Sequence, residues 1–251
     1  MGSTRTKERP YRKVQDEPVG SDGVLRVGMP RAPRLQAPGG TIHVVARCNN
    51  GRFLLEEAAD FQSVLRCLSL MSASYQVTLY AYTLMSNHIH LLVQAPQTMP
   101  LGRPLRWFLT QSAKAYNKAH AGRGHFWEHR YRAVLVEDDP YVLAALRYLD
   151  RNPVRAGIVE DPTAYPWSSC AAYSLGTENP LVTYHPTYLG LGDSSEARSR
   201  KYRDLVTTVT DLELEGRDPR WTESRAVGSS DFLARFAQRR ARSRPRRAAS
   251  G

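Results

Sequence analysis

From about residue 40, the hydrophobic pattern predicts short strands that alternate with amphipathic helices. Residues 41–47 are rich in β-branched side chains, which favours a first strand ended by Asn49-Asn50-Gly51. Two further β-rich runs, residues 79–84 and 88–95, flank a Met-Ser-Asn link and predict a β-hairpin. Residues 132–137 predict a fourth strand.

Apolar residues spaced three and four apart predict helices over residues 56–72 and 104–120. After the fourth strand, Asp138-Asp139-Pro140 favours the start of a helix that runs to about Arg151, before Asn152-Pro153 ends it. The order β-α-β-β-α-β plus a helix predicts an α+β, ferredoxin-like split βαβ sandwich. We expect an antiparallel sheet with strands one and three at its centre, two helices on one face and the third helix against the open face.

The pattern divides the chain into four parts. Residues 1–38 are rich in Pro, Gly and charge and are predicted to be a disordered basic arm. Residues 39–170 hold the folded domain described above. Residues 171–233 form a helical appendage, with helices predicted near 198–214 and from 230, and residues 234–251 form an arginine-rich tail.

The formal charge of +11 lies in the two flanking segments. Residues 1–38 hold eight Lys or Arg against four acids, and residues 234–251 hold seven Arg and no acid, so the middle of the chain is neutral. Such arms bind polyanions by releasing counterions from phosphates, although a tail of this kind also aids solubility. Candidate DNA contacts are Arg47, Arg130, Arg132, Arg155, Arg239, Arg240, Arg242 and Arg244.

Three widely spaced cysteines predict reduced thiols rather than a disulfide framework or a zinc cage. No apolar run approaches the roughly 20 residues that cross a bilayer, and the N-terminus lacks the apolar stretch of a signal peptide. We therefore expect a cytoplasmic protein without a membrane partner, associated with the nucleoid when bound to DNA.

Alternation along the third strand puts His88 and His90 on one side of the sheet and Ile89, Leu91 and Val93 on the other. Two imidazoles on a rigid strand are the start of a divalent-metal site, or they are polar residues on a sheet face. His43 on the first strand could face the same side, but a lone strand histidine is more often structural.

The helix after the fourth strand carries Tyr148 and Asn152 four residues apart, on one face. If this helix covers the histidine face, Asn152 would supply an oxygen ligand and Tyr148 would lie beside the metal. A structural role for Tyr148 is the alternative.

Several ordered motifs resemble the IS200-type tyrosine (HUH) transposases, and most closely their REP-associated branch. They are Met-Ser-Asn-His-Ile-His-Leu-Leu-Val at 85–93, Arg-Tyr-Leu-Asp-Arg-Asn-Pro-Val-Arg-Ala-Gly-Ile-Val at 147–159 and Pro-Trp-Ser-Ser at 166–169, with similar stretches at 124–131 and 228–232. The resemblance covers about residues 40–236. It implies that residues 39–170 are a catalytic domain, with His88, His90 and Asn152 as metal ligands and Tyr148 as the nucleophile.

The implied activity is transesterification of single-stranded, hairpin or REP-like palindromic DNA through a 5′-phosphotyrosine. Mg²⁺ or Mn²⁺ would polarise the phosphate and help the 3′-oxygen leave. Because the tyrosine ester keeps the bond energy, strand transfer needs no ATP, and the sequence has no G-x-x-x-x-G-K-[ST] loop. We favour a monomer, and a homodimer that exchanges the tyrosine helix remains the alternative.

Three competing interpretations are kept. His125-Phe-Trp-Glu-His129 matches the H-x-x-E-H zinc-peptidase motif, which needs a sustained helix, although Gly122 and Gly124 precede it. Tyr116 and Tyr141 are rival nucleophiles, but neither is followed four residues later by an amide or carboxylate. A catalytically silent nucleic-acid-binding protein on the same fold is the third.

Overall fold

The computed structural model describes residues 37–209 and 218–242. Nearly all of the predicted basic arm, at 1–36, and the tail from residue 243, including Arg244, lie outside the described residues. The described part contains five strands: β1 Thr41–Arg47, β2 Thr78–Met85, β3 His88–Gln94, β4 Arg132–Val136 and β5 Ala226–Val227.

The five strands form one sheet in the order β2-β3-β1-β4-β5. β1 to β4 pair antiparallel, and the two-residue β5 adds to β4 in parallel. The α+β class, the split βαβ order and the central position of β1 and β3 are as predicted. β5 was not predicted, because two residues carry no alternation to detect.

The β2–β3 hairpin fixes the register on which the alternation depends. Met85 pairs with His88 across the Ser86-Asn87 turn, and the Ser86 carbonyl accepts hydrogen bonds from the Leu54 and Leu55 amides at 2.8 and 3.0 Å. β1 pairs with β3 so that Arg47 is opposite His88. A slip of one residue in the register of β3 would turn His88 and His90 to the opposite face of the sheet.

Two helices cover the first face of the sheet: α1 Ala58–Tyr75 and α2 Gly102–Ala119. They bury a hydrophobic cluster with the odd-numbered β3 residues Ile89, Leu91 and Val93. α1 begins two residues later than predicted, because the Glu57 side chain caps it in a reciprocal capping box with Asp60.

A third helix covers the second face of the sheet. α3 Tyr141–Asp150 buries its apolar stripe there with Leu92 of β3 in a second hydrophobic cluster. This is the face that the sequence left open for a third helix. The helices that follow are α4 Asn152–Arg155, α5 Cys170–Leu175, α6 Pro186–Leu189, α7 Ser195–Thr207, α8 Arg220–Glu223 and α9 Ser230–Arg242.

The segment predicted as an appendage contributes to the second cluster through α5, α6, α7 and α8. Arg147 and Arg151 donate to the Leu205 and Val206 carbonyls at the C-terminal end of α7, each at 2.8 Å. Cations are stabilising at that end of a helix dipole. The predicted helix at 198–214 begins earlier, at Ser195, and residues 210–217 are outside the described part.

The three cysteines are free and buried. Within residues 37–209 and 218–242, no helix is both long and apolar enough to cross a membrane.

Candidate metal and nucleophile site

The two strand histidines lie together at the hairpin end of β3. Their ring centroids are 4.9 Å apart; His90 is 2% exposed and His88 is half-buried. α3 passes over this face and brings the Tyr148 ring to 5.7 Å from the His90 ring. The structure therefore unites the histidine pair and Tyr148 within one chain.

A third imidazole, His43 on β1, lies behind His90. The two rings stack at 5.1 Å, and His43 Nε2 is 2.9 Å from His90 Nδ1. Burial lowers the pKa of His43 to about 3 and the pKa of His90 well below its ordinary value, since neither ring can be hydrated when charged. Both rings are therefore neutral near pH 7, and one ring donates a hydrogen bond to the other.

His88 and His90, the two candidate metal ligands, each use their Nδ1 atom for a hydrogen bond. His88 Nδ1 lies 2.6 Å from Asn87 Oδ1, an oxygen that can only accept, so Nδ1 carries the proton. His90 Nδ1 is engaged with His43. With Nδ1 as the donor on each ring, Nε2 is the nitrogen with which His88 and His90 would bind a divalent cation, so this donor set fits one.

Asn152 begins α4 directly after α3. Arg151 between them keeps helical dihedrals, φ −87° and ψ 0°, so the four-residue offset from Tyr148 still holds. The Asn152 amide nitrogen donates to the Tyr148 carbonyl at 2.9 Å and more weakly to that of Leu149 at 3.4 Å. Its Oδ1 is therefore the atom with which it would coordinate a cation.

Tyr148 is enclosed by rings and a cation. It is 6% exposed, the Trp221 ring stacks on it at 5.8 Å, and His43 meets its edge at 5.8 Å. The Arg155 guanidinium carbon lies 4.4 Å from its ring centroid. This packing fixes the ring relative to the imidazoles.

Comparison with known proteins bears on this arrangement. Residues 37–152, which contain β1 to β4, the histidine pair, Tyr148 and Asn152, match the sequence profile described as "Transposase IS200 like". Over these residues the chain is similar to the IS200-like transposases. The matched stretch ends at Asn152, directly after the helix that carries Tyr148.

Two known proteins are similar to this chain. A Haemophilus influenzae protein named as a REP-associated tyrosine transposase is 29% identical over 111 residues, 38% of this chain. The match spans 60% of that relative's length. A solved REP-associated tyrosine transposase bound to a REP hairpin has the same fold, with a TM-score of 0.52, 17% identity, and coverage of 63% of this chain and 93% of that one.

The arginines predicted to contact DNA lie in separate parts of the structure. Arg47, paired with His88, and Arg155 both lie close enough to weaken protonation of His90. Arg132 donates to the Thr222 carbonyl at 2.9 Å, so it joins β4 to α8. The others lie elsewhere: Arg130 is exposed in a loop, Arg239, Arg240 and Arg242 are in α9, and Arg244 is outside the described residues.

The two competing candidate sites, the H-x-x-E-H motif and Tyr116, lie away from the histidine pair. Residues 125–129 are not helical, and Trp127 instead bridges to Cys48, so the H-x-x-E-H pattern lacks the helix that a zinc peptidase needs. Tyr116 packs against His120 at 4.2 Å, in the first hydrophobic cluster. Within the described part of the chain, no group of three or more His, Cys, Asp or Glu is arranged as a metal site.

Trp221 is the site residue that sequence reasoning missed. It lies in the four-residue helix α8, where no period can develop, and it is about 70 residues from Tyr148 along the chain. His43 was recognised as a candidate but interpreted as structural. Its signal was the alternation of β1, which places it on the same sheet face as His90.

Proposed function

We propose that this chain is a metal-dependent single-strand DNA transesterase that acts on hairpin or REP-like palindromic DNA. The observation that carries the proposal is the 5.7 Å separation between the Tyr148 and His90 rings in one chain. The IS200-like family supports DNA cleavage, and the solved relative bound to a REP hairpin supports the substrate class.

His88, His90 and Asn152 would hold Mg²⁺ or Mn²⁺ through two Nε2 atoms and one Oδ1. Two imidazoles with an amide oxygen suit Mn²⁺ somewhat better than Mg²⁺. When bound, the cation would polarise the scissile phosphate and stabilise the departing 3′-oxygen.

Tyr148 would attack the phosphorus. The bond from its phenolic oxygen to phosphorus forms as the bond from phosphorus to the 3′-oxygen breaks, and the proton lost by the phenol is balanced by the proton gained by the 3′-hydroxyl. The product is a 5′-phosphotyrosine. The Arg155 guanidinium, 4.4 Å from the ring centroid, would stabilise negative charge that develops nearby in the transition state.

The substrate would have to be unpaired at the scissile phosphate, because Tyr148 is 6% exposed between a sheet face and Trp221. Since Tyr148 already lies beside the histidines of its own chain, action as a monomer is favoured over helix exchange between two copies.

The direct test uses a hairpin oligonucleotide with a single-stranded flank, labelled in separate samples on either side of the scissile phosphate. With Mn²⁺, we expect label on the 5′-phosphate side to remain on the protein through denaturing electrophoresis. EDTA should abolish the adduct, and added Mn²⁺ should restore it. A blunt duplex of the same sequence is the matched control. Hairpin binding with no adduct under any metal condition would instead identify a silent DNA-binding protein.

His43 is proposed as a positioning residue for His90. In His43→Ala, we expect Mn²⁺ to bind roughly 10- to 100-fold more weakly. Losses of this size follow when the hydrogen-bond partner of a metal-binding histidine is removed. Titration calorimetry on the DNA-free protein measures this directly. His43→Gln, which keeps a hydrogen-bond acceptor, should recover part of the affinity.

His185→Ala is the control for that experiment, because it removes another buried imidazole, which contacts Thr41 at 3.3 Å. Its Mn²⁺ affinity should equal that of the unsubstituted protein. Equal Mn²⁺ affinity in His43→Ala would contradict the positioning role.

A further inference from the structure

The outer face of α2 carries a stripe of cations that the proposed chemistry does not use. Arg103, Arg106, Lys114 and Lys118 are exposed, and α2 contains no acidic residue. Their spacing places them within about one third of the helix circumference, with Thr110 between them. From Arg103 to Lys118 the stripe is about 22 Å long, at ~1.5 Å per residue.

This basic α2 stripe faces away from the candidate active site. The opposite side of α2 buries Leu105 and Phe108 in the same cluster as Ile89 and Leu91. His88 and His90 point from β3 to the other face of the sheet, since neighbouring residues of a strand alternate. A DNA segment on the stripe is therefore not the strand that lies over Tyr148.

The N-terminal end of the stripe forms a small cavity. Its volume is about 260 Å³, and it is lined by Tyr75, Arg103, Arg106, Trp107, Thr110 and Gln111. The Tyr75 and Trp107 rings are 5.8 Å apart and tilted by 58°. Two half-buried rings beside two exposed guanidinium groups match what an unpaired nucleotide needs: a surface for base stacking and cations for phosphate.

The two arginines are poorly placed for helix stability alone. Arg103 and Arg106 lie in the first two turns of α2, at the positive end of its dipole, and no acid in the first turn offsets them. Neither forms an ion pair with any residue in the described part of the chain. A bound phosphate would interact favourably with both the arginines and the helix dipole.

We propose that the α2 stripe is a second nucleic-acid-binding surface. An unpaired base stacks on Trp107 and Tyr75, Arg103 and Arg106 contact the adjoining phosphates, and the backbone continues toward Lys114 and Lys118. This inference rests on the proposed DNA substrate and deepens it. The protein holds one segment over Tyr148 and another on the far side of the sheet.

The test measures single-stranded DNA binding to the full chain by fluorescence anisotropy over a series of salt concentrations. The double variant R103A/R106A should bind about 10-fold more weakly, and the slope of log K against log salt should fall by about 1.4, or ~0.7 for each lost phosphate contact. Trp107→Leu should weaken binding about 5- to 150-fold, the contribution of one stacked base, with little change in the salt slope.

R200A/R203A is the matched control. It also removes two exposed arginines three residues apart, on α7 rather than α2. Its affinity and salt slope should stay close to those of the unsubstituted chain. Equal losses in R103A/R106A and R200A/R203A would mean that only total charge matters, and an unchanged R103A/R106A would mean that DNA does not reach α2. Either result overturns the proposal.

Adduct formation separates this proposal from the proposed function. At saturating hairpin DNA, R103A/R106A should still form the Tyr148 adduct, because no residue of the stripe lies at the active site. The unsubstituted chain could form no adduct while R103A/R106A still lowers the slope of log K against log salt. That result would refute the proposed transesterification and support the α2 binding surface.

Discussion

Tyr148→Phe is expected to lower covalent protein–DNA adduct formation by at least ~10⁴-fold, the order of loss when a catalytic nucleophile is removed. Phenylalanine keeps the ring that packs against His43, His90 and Trp221 and removes only the oxygen that is proposed to attack phosphorus. Affinity for hairpin DNA should therefore change little. Quantitative denaturing gels measure the adduct, and anisotropy on the same preparation measures binding.

Tyr141→Phe is the matched control for this substitution. Tyr141 begins the same helix, is half-buried, and packs at the edge of the same hydrophobic cluster. It should form adduct at the rate of the unsubstituted protein. An adduct that persists in Tyr148→Phe would require another nucleophile, and Tyr141 and Tyr116 would then be replaced in turn.

Asp150→Asn is expected to remove a large pH dependence of stability. Asp150 is fully buried, and burial raises the pKa of its carboxyl from 3.8 to about 7, opposed by hydrogen bonds from the Tyr202 hydroxyl, at 2.6 Å, and the Cys170 thiol. Between these two pKa values the unfolded chain releases a proton that the folded chain retains. Raising the pH from 4 to 7 therefore favours unfolding, by at most about 4 kcal/mol at ~1.4 kcal/mol per pKa unit.

Because asparagine cannot ionise, the stability of the variant does not fall for this reason as the pH rises. The informative quantity is the free energy of unfolding of the unsubstituted protein minus that of Asp150→Asn, measured by urea denaturation in EDTA from pH 4.5 to 8. It should fall steadily up to about pH 7 and then level off. Asp193→Asn, at an exposed position, should show no such trend. A flat difference for Asp150→Asn would mean that the buried carboxyl is hydrated in the folded protein.

The β1–β3 part of the site could be predicted because its signals are local. A two-residue period determines which side of a strand a residue occupies, so His88 and His90 had to lie together and away from Ile89 and Leu91. The four-residue spacing of Tyr148 and Asn152 likewise follows from helix geometry. The family resemblance assigned roles to these residues, and their roles remain predictions.

The surroundings of Tyr148 could not be predicted, because they come from parts of the chain that are distant in sequence. Trp221 reaches Tyr148 from α8, and its four-residue helix has no recognisable period. Asp150 is an acid on the apolar face of α3, and the hydrophobic pattern shows it only as an interruption of that face. Its partner Tyr202 is 52 residues away.

The sequence by itself determined the first four strands, the β2–β3 hairpin, the helix that carries Tyr148, and the face on which the two histidines lie. These follow from backbone periods that need no distant partner. Only the tertiary structure decided that Tyr148 packs against its own chain's histidines, that His43 contacts His90, and that the basic stripe of α2 lies on the opposite side of the sheet. Such contacts depend on how helices pack on a sheet, which is set by the summed burial of many side chains rather than by any local pattern.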